Sequence, residues 1–359
     1  MRAKKTLLYF LVLIICFFSG IFIFKDNIDE YINYYKLINK FNYTYKIDSE
    51  IDVKGIIDEN NIIIKDEENL VKYNLKKMKK ENVLASVQDG YNVHSVNTFD
   101  DGIIWIETRD TPDISNKIYI KYYDSDSILL IDESTNKILP QLSVSGNEMV
   151  YYIVDDKLFS IKMVDLESGE KNTVASYESS NNKRYISQPS INDYYIVWSC
   201  METEKSTIYI YDIETNNIKV LSDDELLYNP VLKNNNLLAI KQNIYFDEEI
   251  NDSYSSNYIV EFNSTSKTWT KFKENTISEY VFEPKESIFS LAVNSELLYW
   301  TSSLRNGNYV YNFTNDECIP IIKEGYNTNT SIIFSKKNII YYEVTINENE
   351  KLKFIYSIK

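Results

Sequence analysis

Glycine, proline, cysteine and histidine are all scarce in this chain of 359 residues, at 8, 6, 3 and 1 respectively. So few Gly and Pro exclude a linker-rich or low-complexity protein. Of the cysteines, Cys16 lies inside an apolar run, which leaves Cys200 and Cys318 and no disulfide framework to read. The sole histidine, His94, is expected to be a satisfied polar residue of a strand or turn, and no G-x-S-x-G elbow accompanies it. The carboxylate pairs Asp124/Asp126, Asp155/Asp156 and Asp223/Asp224 lack the Gly and terminal Glu of a calcium loop, so they read as solvated turn acids. No catalytic residue, metal or cofactor is therefore expected. Basic residues are also in deficit, 38 Lys+Arg against 53 Asp+Glu for a formal net charge of −15, which argues against a nucleic-acid partner.

What is present is aromatic and apolar: 31 Tyr, 16 Phe and 44% hydrophobic residues, the composition of a globular chain that favours strands. At the N-terminus "MRAKK" precedes an uncharged apolar run from Leu7 to Phe24, ended by Lys25. That run has about the length a membrane helix needs. Arg2, Lys4 and Lys5 before it, and Asp26, Asp29 and Glu30 after it, predict a cytoplasmic N-terminus and an extracytoplasmic remainder. A cleaved signal peptide is the alternative, although no A-x-A pattern follows the run. The expected organisation is a cytoplasmic tip and transmembrane signal-anchor helix over 1–25, a juxtamembrane stalk over 26–40, and a single all-β domain over 41–359.

The domain carries a repeat. Apolar triplets end at Ile64, Trp105, Tyr152, Trp198, Ile240, Trp300 and Tyr342, spaced by 41, 47, 46, 42, 60 and 42 residues. Turn formers precede them, such as Gly146-Asn147, Asn192-Asp193, Asn234-Asn235 and Asn294-Ser295. Another strand follows each triplet, then a polar turn such as "DLESGE" or "DIETNN", then a closing strand. In "IYIYDI" both phases of the alternation are apolar, so the strand is buried on both faces. Four short antiparallel strands repeating in this way predict a β-propeller, with seven blades or, alternatively, six. Trp105, Trp198 and Trp300 then hold equivalent positions between blades. The last unit supplies only three strands, and its outer strand is expected from "FNYTYKI", residues 41–47.

The phrases "QPSINDYYIVWS" and "IYIYDIETNNIKVLS" resemble repeats of the TolB-like propeller family. The resemblance covers roughly residues 50–359 and is strongest over 140–221. It implies propeller architecture, often with six blades in that family, and is weak for function. The S-x-D-x-G-x-T-W boxes of sialidase-type propellers are missing.

Two function classes follow. The first is a membrane-anchored binding module for an envelope protein, peptide or glycan; the alternative is a cell-envelope hydrolase or lyase with a cryptic acidic site on the propeller face. The candidate surface is the face carrying the second-to-third-strand loops, around the unit of Ile240. Trp198 to Tyr211 spans 13 residues, whereas Ile240 to Glu261 spans 21, and the spacing of 60 to the next triplet leaves a second insertion around "KENTISEYVFEPKES". Long loops on a rigid scaffold are where binding concentrates. These mix Tyr245, Phe246, Tyr254 and Tyr280 with Asp247, Glu248, Glu249 and Glu279, and Trp269, which falls outside the blade register, joins them as a candidate.

Overall fold

The structure, a computed structural model, describes residues 43–358 except 112, 157, 179–184, 203–204, 223–225, 235, 248–251, 274–287, 295, 303–306, 322–328 and 348–349. The expected membrane helix and stalk lie outside these residues. Among the described residues no helix is long and apolar enough to cross a membrane.

Tyr43–Pro320 and Asn327–Lys359 form one compact unit of seven antiparallel sheets, six of them with their strands in chain order. Blade 1 runs through Asp52–Asp58, Asn61–Asp66, Asn69–Asn74 and Lys79–Ser86, and blade 2 through Asn92–Phe99, Gly102–Arg109, Ser115–Tyr122 and Leu129–Ser134. Blade 3 has Gln141–Ser145, Glu148–Asp155, Leu158–Asp165 and Lys171–Glu178. In blade 4 the inner strand is split into Tyr185–Ile186 and Ser190–Ile191 around Pro189, followed by Tyr195–Glu202, Lys205–Asp212 and Asn217–Ser222. Blade 5 comprises Leu226–Lys233, Asn236–Asp247, Asp252–Asn263 and Thr268–Lys271, and blade 6 Ile288–Val293, Leu297–Ser302, Gly307–Asn312 and Glu317–Pro320. Blade 7 has Asn329–Lys336, Ile339–Asn347 and Glu350–Ser357, with Tyr45–Ile47 as its outer strand.

All seven apolar triplets are second strands of blades. Their two-sided burial follows from the architecture, because each blade is covered by a neighbour on either side. Trp105 packs on Ile63, Leu70 and Ala85 of blade 1, Trp198 on Val150, Phe159 and Ile161 of blade 3, and Trp300 on Ile240, Ile259 and Phe272 of blade 5. Each indole is 0% exposed. Each also faces a tyrosine in register on the third strand: Tyr119, Tyr209 and Tyr309. These pairs stack with ring centroids 5.4, 5.4 and 5.7 Å apart. The opposite phase fills the next gap, as Ile104 and Ile106 of blade 2 meet Met149 and Tyr151 of blade 3.

The turns are fixed by side-chain oxygens that accept backbone hydrogens, the device that suits Asn and Asp to these positions. Between first and second strands, Asn192 Oδ1 accepts from the amides of Tyr194 and Tyr195 at 2.9 and 2.7 Å, and Asn294 Oδ1 from those of Glu296 and Leu297 at 2.9 Å. Between third and fourth strands, Asp165 and Asp212 do the same. Gly55 answers a different need. A Cβ there would lie 2.6 Å from the Val96 carbonyl oxygen, so only glycine lets the inner strands of blades 1 and 2 approach this closely.

The ring closes as expected. Tyr45 pairs with Ile355 and Ile47 with Lys353 across an antiparallel ladder. Ile47, 2% exposed, joins Tyr341 and Ile355 of its own blade and Ile62 and Ile64 of blade 1 in one apolar cluster.

Between blades 2 and 3 the contact is partly ionic. Asp132, on the outer strand of blade 2, accepts the Tyr151 hydroxyl at 2.8 Å and the Lys162 ammonium at 2.6 Å, both from blade 3. Burial alone would raise the Asp132 pKa, but the bonds from Lys162 and Tyr151 and the charges of Lys162 and Lys171 outweigh it and hold the carboxyl below its ordinary value. A depressed carboxyl pKa contributes stability that is present above the unfolded value of about 3.9 and is lost as pH falls through the folded one. Asp132→Asn is therefore expected to cost roughly 1.5–3 kcal/mol at pH 7, the range for hydrogen bonds to a charged group. The gap in denaturation midpoint between variant and parent should close as pH drops below about 4. A gap that stays constant down to that pH would show the charge to be irrelevant.

Candidate functional site

Strands alternate direction within a blade, so the second-to-third loops emerge at one end of the ring and the two tight turns of each blade at the other. Blade 5 is different at the first end. Its second and third strands are 12 residues each, whereas those of blades 2, 3 and 4 are 8. The insertion expected as a loop is thus a correction to the sequence reading: it continues the central hairpin as paired strand, with Tyr245 opposite Tyr254, Phe246 opposite Ser253 and Asp247 opposite Asp252. The inner strand pairs with it only as far as Gln242, and the outer strand reaches back only to Val260. From Asn243 to Asp247 and from Asp252 to Ser256 the two strands are paired only with each other among the described residues.

The candidate residues divide accordingly. Tyr245, Phe246, Asp247 and Tyr254 share this ribbon, and Glu248, Glu249, Glu279 and Tyr280 lie outside the described residues. Trp269 is on the outer strand of blade 5. It is half-buried, tilted against Phe262 at 5.1 Å, and packs on the cluster that joins blades 4 and 5. Its place in that cluster gives Trp269 a packing role. His94 sits at a bulge in the inner strand of blade 2, and no group of three or more metal-ligating side chains occurs among the described residues.

The axis of the ring offers a second feature that the sequence reading did not single out. A cavity of about 1010 Å³ is lined by residues 97–100, 141–146, 188–194, 229–234, 291–294 and 336–337, with Tyr185 and Tyr299. Most of these belong to the inner strands of blades 2 to 7 and the turns that follow them, so the cavity runs along the axis with the larger part of its lining toward the end opposite the ribbon, while Tyr185, opposite Met201, lies nearer the ribbon end. An inner strand has only one neighbour in its sheet, and its other edge faces the axis. Those backbone groups must be satisfied, and side chains reaching across from adjacent blades do so. Thr98 donates to the Ile56 carbonyl at 3.1 Å, Gln188 to that of Leu142 at 2.9 Å, Ser143 to that of Pro189 at 2.7 Å and Tyr228 to that of Ile288 at 3.2 Å. The Leu232 amide donates to Ser190 Oγ at 3.1 Å. Tyr228, half-buried, accepts a hydrogen bond from Asn257 Nδ2, and desolvation pushes its pKa up to about 12.

Lys336, on the inner strand of blade 7, lines the cavity, and its ammonium donates to Thr98 Oγ1 of blade 2 at 2.5 Å. Burial lowers the Lys336 pKa, and the charge of Asp100 partly restores it. Lys233 lines the same cavity, its ammonium 5.1 Å from the centre of the Phe313 ring, and burial lowers its pKa too.

No family matches the sequence, and no curated protein matches it either. Solved structures do. The β-propeller domain of the trilobed protease from Pyrococcus furiosus aligns at 15% identity with a TM-score of 0.54, over 76% of this chain and 83% of that one. A prolyl endopeptidase aligns at 10% identity with a TM-score of 0.58, over 89% of this chain and 49% of that one, so this chain spans about half of that enzyme's length. TolB from Acinetobacter baumannii aligns at 11% identity over 86% of this chain and 80% of that one, with a TM-score of 0.44. The likeness is one of fold. The Pyrococcus domain is described as having an open velcro topology, whereas here Tyr45–Ile47 closes the last blade.

Proposed function

We propose that this chain is a membrane-anchored, extracytoplasmic β-propeller that holds a partner protein at the cell envelope, with the blade 5 ribbon as its docking element. The observation that carries this reading is the ribbon's pairing: residues 243–247 and 252–256 have outer edges with no strand beside them among the described residues. An isolated two-stranded ribbon is marginal by itself, and an open edge is a template for an added strand. A partner that contributes an extended segment would satisfy both. The basic-then-apolar-then-acidic order of residues 2–30 supports tethering with the ring outside.

The test joins Gln242 to Asn257, which face each other in register, through a two-residue Asn-Gly turn. The ring should melt unchanged, since its core lies below this level. A photo-crosslinking residue introduced at Tyr258, retained in both proteins, should trap a discrete envelope partner in the parent and lose it in the shortened form. Persistence of that adduct would overturn the docking role. Protease added to intact protoplasts should digest the ring; protection would reverse the topology.

A further inference from the structure

The axial cavity presents chemistry that ring assembly leaves unused. The amide side chains of Asn97, Gln141 and Asn229 line it and make no side-chain hydrogen bond among the described residues. Each amide offers two donors and an acceptor with two lone pairs, so three such groups facing one space are matched by a ligand rich in hydroxyls. Tyr194, 59% exposed, adds an aromatic ring to the same lining. Aromatic rings give a polar ligand an apolar surface to lie on. The volume is at the upper end of the roughly 300–1,000 Å³ typical of ligand pockets, which suits an oligomer better than a single small molecule.

Charge narrows the class. The chain is strongly acidic, yet the cavity lining carries Lys233, Lys336 and Lys337 against Asp100 and Asp193, and the only hydrogen bond of the Lys336 ammonium among the described residues goes to a neutral hydroxyl. An ammonium has three donors, so Lys336 retains capacity for an anionic oxygen. Peptide is disfavoured here because strand addition needs a free backbone edge. At Ile56, Leu142, Pro189 and Ile288 the axial carbonyls already accept side-chain hydrogens.

We propose that this cavity is a binding site for a carboxylate-bearing oligosaccharide, its hydroxyls on the channel amides and its carboxylate on Lys336 and Lys337. Lys336 and Lys337 stand toward the end opposite the ribbon, and the site is independent of the ribbon. Titration calorimetry of the full chain with tetragalacturonate, its methyl ester and tetraglutamate tests this. The acid should bind about tenfold more tightly than the ester, as expected for a hydrogen bond to a charged group. Lys336→Gln and Lys337→Gln should each remove most of that difference while leaving ester binding in place. Lys337 is exposed, so its variant keeps the test valid should Lys336→Gln disturb the Thr98 contact. Gln141→Glu should weaken acid binding selectively, and shortening the ribbon should change nothing. Equal affinity for acid and ester, tetraglutamate binding as well as tetragalacturonate, or no binding of either sugar at millimolar concentration would each overturn the assignment.

Discussion

Replacing Trp198 or Trp300 with alanine is expected to lower the stability of the ring by roughly 3–5 kcal/mol, the range for emptying an aromatic core site. Both indoles are fully buried, and each stacks on the cross-strand tyrosine and closes the gap to the preceding blade. The two differ in one respect that phenylalanine variants expose. Trp198 Nε1 donates to the Tyr177 hydroxyl at 3.1 Å, whereas Trp300 Nε1 has no hydrogen-bond partner among the described residues. A buried unpaired donor costs about 1–3 kcal/mol. Trp300→Phe removes that cost along with the ring volume, so it should be milder than Trp198→Phe, which gives up the hydrogen bond to Tyr177. Denaturant midpoints of the four variants check the ordering. Alanine variants that melt like the parent would place these indoles outside the core.

The second large effect is on closure. A chain beginning at Ile51 lacks the strand Tyr45–Ile47, so the ladder on Glu350–Ser357 is left open and Ile47 is removed from the cluster between blades 7 and 1. Burying one such side chain is worth about 1.5–3 kcal/mol, and the lost ladder adds to it. A chain beginning at Tyr43 should therefore be more stable by about 3 kcal/mol or more and show less concentration-dependent association, since an open edge pairs with other copies. Equal melting of the two chains would sink the closure argument.

Much of this architecture was legible because a second strand is buried on both faces. "IVW", "LYW" and "IYY" carry apolar residues in both phases, and their turns use Asn, Asp and Gly, whose backbone and side-chain preferences are local. Closure was legible from a count, three strands in the last unit and an unassigned β-like segment before the first. The ribbon was not. "QNIYFDEEINDSYSSN" is rich in Asn, Asp and Ser, which reads as loop, and its strand state comes from a partner strand rather than from propensity. The cavity was invisible for a different reason. Thr98 and Ile56, Gln188 and Leu142, or Tyr228 and Ile288 lie 42 to 60 residues apart, and ordinary polar residues give no local sign that they share an axis. Trp269 was singled out for falling outside the blade register, but its half-buried packing on the blade 4–5 cluster follows from its place on an outer strand.

The pairing of Tyr45 with Ile355 also sets an order of events during synthesis. The closing strand leaves the ribosome about 300 residues before its partner, so blade 7 cannot be completed until Glu350–Ser357 has emerged. Until then the growing ring has two open ends, the inner strand of blade 1 and whichever blade is newest, and both are exposed to mispairing. Contacts spanning nearly the whole chain are slow to form, and incomplete rings are the species most prone to aggregate. Emergence of Glu350–Ser357, rather than the folding of any single blade, becomes the step that commits the ring to its native form.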